Sequence, residues 1–151
     1  ICLQAEQQRE IRRSRHRIDS KFELMDEAIA MAAMYLANHL DVKAIATLTQ
    51  SGSTPLWMSR ISSGIPIFAL TPTEETGRKV TLYRGVYPVH FEHSDAGHLA
   101  LNKRAIDLLQ ANGVVSDGDT VIITKGDSEV KGSTDMLKLV RVGKMAEPTV
   151  D

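Results

Sequence analysis

At 151 residues the chain is sized for one domain, large enough to bury about two-thirds of its unfolded surface. Its 18 basic and 19 acidic residues nearly cancel, so no overall field draws it to nucleic acid or to an anionic membrane. No apolar run nears the ~20 residues that span a bilayer, and a lone cysteine, Cys2, excludes an internal disulfide framework and suits a reducing cytoplasm.

The chain begins Ile1-Cys2-Leu3, without methionine or a visible secretory signal, and reads as a fragment of a longer cytoplasmic protein. Residues 6–17 are polar and basic, with Arg9, Arg12, Arg13, Arg15 and Arg17 close together. A nucleic-acid arm and a solvated linker both fit that charge run. No aromatic residue is interleaved for stacking and acids elsewhere balance the charge, which favours the linker.

A helix is expected over 22–40, where Met25, Ala28, Ile29, Ala32, Leu36 and Leu40 recur at helical spacing and Ser20 with Glu23 fits a capping box. Met31, Ala33, Met34 and Tyr35 make a second side apolar, so this helix is expected to meet both a sheet and another surface. Met25, Met31 and Met34 read as core filling.

Ala44, Ile45, Ala46 and Leu48 form a buried strand, followed by Thr49, Gln50, Ser51, Gly52, Ser53 and Thr54. Four hydroxyls and a glycine within six residues make an unusual turn. Gly52 allows close backbone approach. Thr54 is expected to cap the next helix, with Pro55 at its first position, where a missing N–H is harmless. Free amides, a positive dipole end and hydroxyl donors together make a phosphate seat. The same residues also suit an ordinary strand-to-helix turn whose hydroxyls only cap.

Residues 66–70 read as a second buried strand. Thr71-Pro72-Thr73-Glu74 forms a second capping box, opening a short helix weakened by Gly77 and ending before Leu82. A third strand over 86–91 carries Pro88, which favours a sheet edge. A helix over 95–110 stops at Asn112-Gly113. Strands follow over 119–124 and 136–142. Strands separated by helices imply a largely parallel sheet covered on both faces. The last two strands lack an intervening helix and are expected to pair antiparallel.

Between those two strands lie Lys125, Gly126, Asp127, Lys131, Gly132, Ser133 and Thr134. If the first and fourth strands are neighbours, this loop faces residues 49–54 across one crevice, where doubly wound sheets hold ligands. A solvent-exposed hairpin is the plainer alternative. His90, Glu92, His93, Asp95 and His98 cluster in sequence, but a strand turns His93 away from His90 and Glu92, so no metal site is expected. Ser51 on a strand-to-helix elbow suggests a nucleophile, yet the surroundings are not Gly-x-Ser-x-Gly and no base can be assigned.

The succession EAIAMAAMYLANHL, ATLTQSGSTPLWMSRISSGIPIFALT, LYRGVYPVHF, GDTVIITKG and KGSTDMLKLVRV resembles the C-terminal domain of pyruvate kinase. The likeness is greatest to bacterial forms that respond to AMP and sugar monophosphates rather than to fructose 1,6-bisphosphate. It implies a three-layer α/β/α sandwich with a five-stranded mixed sheet in the order 3-2-1-4-5, the last strand antiparallel.

The resemblance also implies that an effector phosphate lies on Thr49, Ser51, Gly52 and Thr54, with Gln50 and Ser53 in the same loop. It places an effector loop on Gly126, Gly132, Ser133 and Thr134. Ser53 stands where the family often has arginine and Pro55 where it usually has alanine. Losing a guanidinium removes a charge-assisted contact of about 1.5–3 kcal/mol, so affinity is expected to be weaker or to depend on Lys125 or Lys131. Trp57 is uncommon at its position and reads as a large residue on the buried helix face.

By the same resemblance, residues 1–21 connect to an absent catalytic barrel, 22–144 form the domain and 145–151 a tail. No catalytic residue or cofactor is expected in this domain; magnesium and potassium belong to the barrel. The expected partners are a phosphorylated effector, that barrel and other copies in a tetramer, with no nucleic acid or membrane. A purely structural oligomerisation domain, and a small hydrolase using Ser51, are the alternative readings.

Overall fold

A computed structural model describes residues 21–61, 63–92, 97–126 and 133–144. Among them, β1 (Ala44–Leu48) is buried at every position, as expected of a central strand covered on both faces. It pairs in parallel with β2 (Ile67–Thr71) on one side and β4 (Thr120–Lys125) on the other. β3 (Val86–His90) joins β2 in parallel at one edge, and β5 (Met136–Arg141) closes the other edge antiparallel to β4. The five-stranded sheet therefore runs β3-β2-β1-β4-β5. Pro88 sits on the edge strand, where a missing ladder donor is tolerated.

Alternation of side chains divides the core. Ala44, Ala46, Leu48, Val121 and Ile123 pack beneath α4 (His98–Ala111) through Ala105, Ile106 and Leu109. Ile45 and Ile122 point to the other face. There they meet α1 (Met25–His39), Met58 of α2 (Ser53–Ser59) and Val80 of α3 (Glu74–Val80). The chain winds outward from β1 through α2 and α3 to the β3 edge, then returns beneath α4 to β4. The winding thus reverses between β1 and β4, and a crevice opens at their carboxyl ends.

Several local expectations are corrected. The face of α1 turned to the core holds Asp26, Ala30, Ala33, Met34 and Ala37, not the expected stripe. Met25 is 63% exposed and Leu40 48%, while Met34 is fully buried. The helix is apolar on two sides, so spacing alone could not choose; the smaller alanine face allows the closer approach. Ser20 lies outside the described residues, and Leu24 flanks the helix with no side-chain cap. Asp26 Oδ1 instead accepts the Glu27 amide at 2.9 Å.

In α2 the residue before the helix is Gly52, at φ 77°, so Thr54 and Pro55 stand second and third rather than as cap and first residue. Proline is still tolerated there, because the first four amides of a helix have no internal partner. Pro72 precedes α3, which starts at Glu74 without a side-chain cap; Thr71 Oγ1 accepts the Thr73 amide at 3.4 Å instead. α3 does end before Leu82. α4 runs from His98, after Gly97, and closes through Gly113 at φ 69° as expected; residue 95, where its start was expected, lies outside the described residues.

Candidate functional site

The β1 exit brings together most of the hydroxyls singled out in the sequence. Thr49 Oγ1 accepts the Gly52 amide at 2.9 Å, closing the turn from within, and Ser51 Oγ accepts the Ser53 amide at 3.3 Å. Two of the loop's amides are thus met by its own side chains. Among the described residues no protein acceptor meets the amides of Ser51 and Thr54. With the Gln50 amide, which likewise meets no protein acceptor among the described residues, those are what an outside anion has to work with.

The two loops expected to face each other do meet, since β1 and β4 are neighbours. Thr54 Oγ1 and Thr134 Oγ1 lie 2.5 Å apart in a buried hydrogen bond that spans the crevice. Thr134 is held by the β5 side of the hairpin, whose base is closed by the Asp135 amide on the Lys125 carbonyl at 3.3 Å. Gly126 is needed sterically: a Cβ there would overlap the Ser133 carbonyl oxygen. Asp127, Lys131 and Gly132 lie outside the described residues.

Lys125 occupies a different place from the one expected of an anion ligand. Strand parity puts it with Val121 and Ile123 on the α4 face, where it is 2% exposed. Its Nζ lies 2.9 Å from His98 Nδ1 and 3.3 Å from the His98 carbonyl. On the opposite face Ser53 Oγ donates to Asp26 Oδ2 at 2.5 Å. A carboxylate therefore stands beside the loop position where the resembled family often carries a guanidinium. It opposes an incoming anion.

Sequence reading missed the polar layer beneath this loop. Thr47 and Thr124 face each other across β1 and β4. Both are fully buried, and neither hydroxyl has a hydrogen-bond partner. The available signal was a threonine in each of two otherwise apolar strands. Also missed was α3 as a support: Thr76 Oγ1 donates to the Gln50 carbonyl at 2.6 Å and Lys79 Nζ to the Ser51 carbonyl at 3.2 Å. The far side of α3, with Thr71, Arg78, Thr81 and His90, lines a separate cavity of about 420 Å³.

The other candidates do not assemble. His90 pairs with Glu92 at 3.0 Å on the surface, His98 is engaged with Lys125, and His93 and Asp95 lie outside the described residues. Among the described residues no group of three or more potential ligands is placed to hold a metal. No helix there is long and apolar enough to cross a membrane. The Ser51 hydroxyl accepts the Ser53 amide, while His39 is bonded to the Tyr35 carbonyl. Trp57 packs partly buried against the α1 side of the core, with the Arg60 guanidinium 4.5 Å from its ring centre.

Comparison with known proteins gives a consistent match. A family model described as "Pyruvate kinase, alpha/beta domain" matches residues 27–140. Pyruvate kinase II of Salmonella typhimurium is 48% identical over 144 residues, covering 94% of this chain and 30% of that protein. The pyruvate kinase of Haemophilus influenzae is 50% identical over 130 residues, covering 83% and 26%. That of Staphylococcus haemolyticus is 38% identical over 117 residues, covering 77% and 20%. The chain thus spans less than a third of the length of these relatives.

Proposed function

The chain belongs to the pyruvate kinase alpha/beta domain family, and on that premise we propose that it is a regulatory domain which binds a phosphorylated effector. The effector is AMP or a sugar phosphate. Its phosphate lies on the loop 49–54, against the Ser51 and Thr54 amides and the Ser51 hydroxyl, and the hairpin carrying Ser133 and Thr134 covers the sugar. The observation that carries this reading is the 2.5 Å bond between Thr54 and Thr134, which ties the two loops together over the crevice where the winding reverses.

In the whole protein the catalytic barrel converts phosphoenolpyruvate and ADP to pyruvate and ATP, and the domain contributes to the tetramer interface. Ordering the two loops around an effector shifts how the domain packs on its neighbours. A coupling of about 1–3 kcal/mol is enough to alter substrate affinity, and it acts equally in the reverse direction.

Calorimetric titration with AMP and with glucose 6-phosphate tests the reading. Ser51→Asp is expected to abolish binding, by placing a second negative charge on the phosphate. Asp26→Asn is expected to tighten it, because the carboxylate beside Ser53 is removed. Unchanged affinity in Ser51→Asp rules out this location.

A second reading has support of its own. With the Gly52 and Ser53 amides already bonded and Asp26 at the loop, the turn is partly self-sufficient. Tyr35 and Leu139 also leave apolar surface exposed, as a purely structural oligomerisation domain requires. That alternative predicts that no phosphorylated metabolite raises the melting temperature, whereas a ligand specific to the native state must do so.

A further inference from the structure

The loop 49–54 holds its shape only in part through its own side chains. α3, which starts at Glu74, lies directly against its backbone. A Cβ at Gly52 would stand 3.0 Å from Val80 Cγ1 and 3.5 Å from Thr76 Cγ2. Thr76, Lys79 and Val80 are three and four residues apart and so share one face of the helix. That face meets two successive carbonyls of the loop, with Thr76 on Gln50 and Lys79 on Ser51.

Pinning a carbonyl also aims an amide. The described peptides are trans, and in a trans peptide C=O and N–H point in opposite directions. With the Gln50 carbonyl held against Thr76, the Ser51 N–H of the same peptide is turned away from α3. The next peptide obeys the same rule: its carbonyl is on Lys79, and its amide, that of Gly52, is on Thr49 Oγ1. One of the two amides is consumed within the turn and the other is presented outward.

We propose that Thr76 is a positioning residue of the effector loop: its hydroxyl locks the Gln50–Ser51 peptide so that the Ser51 amide faces the bound phosphate. The sequence around Thr76 fits a role outside its own helix. Threonine followed by Gly77 in the middle of a seven-residue helix is poor for helix stability, and Thr76 is only 7% exposed. The helix packs on β2 and β3 through Val80, and that packing carries Thr76 to the loop. The Lys79 contact is longer and solvent-exposed, and it is the lesser constraint.

The proposal rests on the reading of 49–54 as a phosphate seat, and the test separates the two. Thr76→Val keeps the shape and removes the donor; Thr76→Ser keeps the donor and removes the methyl that faces Gly52. The chain and both variants are titrated with inorganic phosphate and with AMP while backbone amide resonances are followed. In the unaltered protein the Ser51 amide is expected to shift on binding. Thr76→Val should weaken binding by about tenfold or more, the scale of one hydrogen bond to an anion, and abolish the Ser51 shift. Thr76→Ser should restore both.

Binding by Thr76→Val equal to that of the parent overturns the proposal. So does equal loss in both variants, which would make Thr76 a packing residue only. If neither ligand moves any amide of the parent, the seat reading fails. The positioning claim is then decided by the ligand-free spectra. Displacement of the Ser51 and Gly52 amide resonances in Thr76→Val, restored in Thr76→Ser, sustains it; unmoved resonances overturn it.

Discussion

The exits of β1 and β4 lie side by side at the same crevice and are held in opposite ways. The β1 exit is a web of hydroxyls: Thr49, Ser51, Thr54 and Thr76 each bond the loop backbone or a facing side chain. The β4 exit is fixed by a buried lysine turned to the far face of the sheet and by a glycine pressed against Ser133. A hydroxyl is donor and acceptor at once, so it can hold the turn and still offer a group to a ligand. An ammonium has donors only, and here it lies against His98 Nδ1 and the His98 carbonyl. On the proposed reading, the difference gives recognition to the β1 exit and anchoring to the β4 exit.

The sharpest way to break that contrast is Gly52→Ala. The residue has φ 77°, and an added Cβ meets Val80 at 3.0 Å. The left-handed backbone and the overpacking together are expected to destabilise the fold by about 2–4 kcal/mol, read as a lower midpoint in urea. A variant as stable as the parent would mean that α3 does not press on the loop.

A smaller effect is expected at the junction of the two exits. Thr134→Val removes one side of the bond to Thr54 and leaves a buried hydroxyl unpaired. A loss of about 1–3 kcal/mol in thermal or urea unfolding should follow, with weaker effector binding if the hairpin covers the ligand. Unaltered stability would show that the exits are independent.

The smallest effect sharpens the assignment of Lys125. Because its ammonium lies on the α4 face against His98, Lys125→Met should change phosphate affinity by roughly threefold or less, as for a charge not in contact with the ligand. A loss of a hundredfold or more, the scale of a direct charge-assisted bond, would move the recognition function to the β4 exit.

Much of this was legible in residue order. The run Ala44 to Leu48 is apolar enough to be central, Pro88 marks an edge, and Gly52 among hydroxyls marks a special turn. The likeness to pyruvate kinase carried the strand order, which the sheet reproduces. Errors arose where two local solutions had similar energy. α1 has two apolar sides, and only packing against α2 and the sheet selects the alanine one. Thr54 and Pro55 suit a helix start, but Gly52 in a left-handed conformation begins the helix earlier.

The amino-acid order alone determined which segments are strands and helices and where the polar turn falls, because backbone preference and apolar spacing act over a few neighbouring residues. Tertiary structure decided which groups of that turn remain for a ligand. Gln50 finds Thr76, Ser53 finds Asp26, Thr54 finds Thr134 and Lys125 finds His98. Each pair is far apart in the chain, and a hydrogen bond depends on where the fold brings donor and acceptor, not on how many residues lie between them.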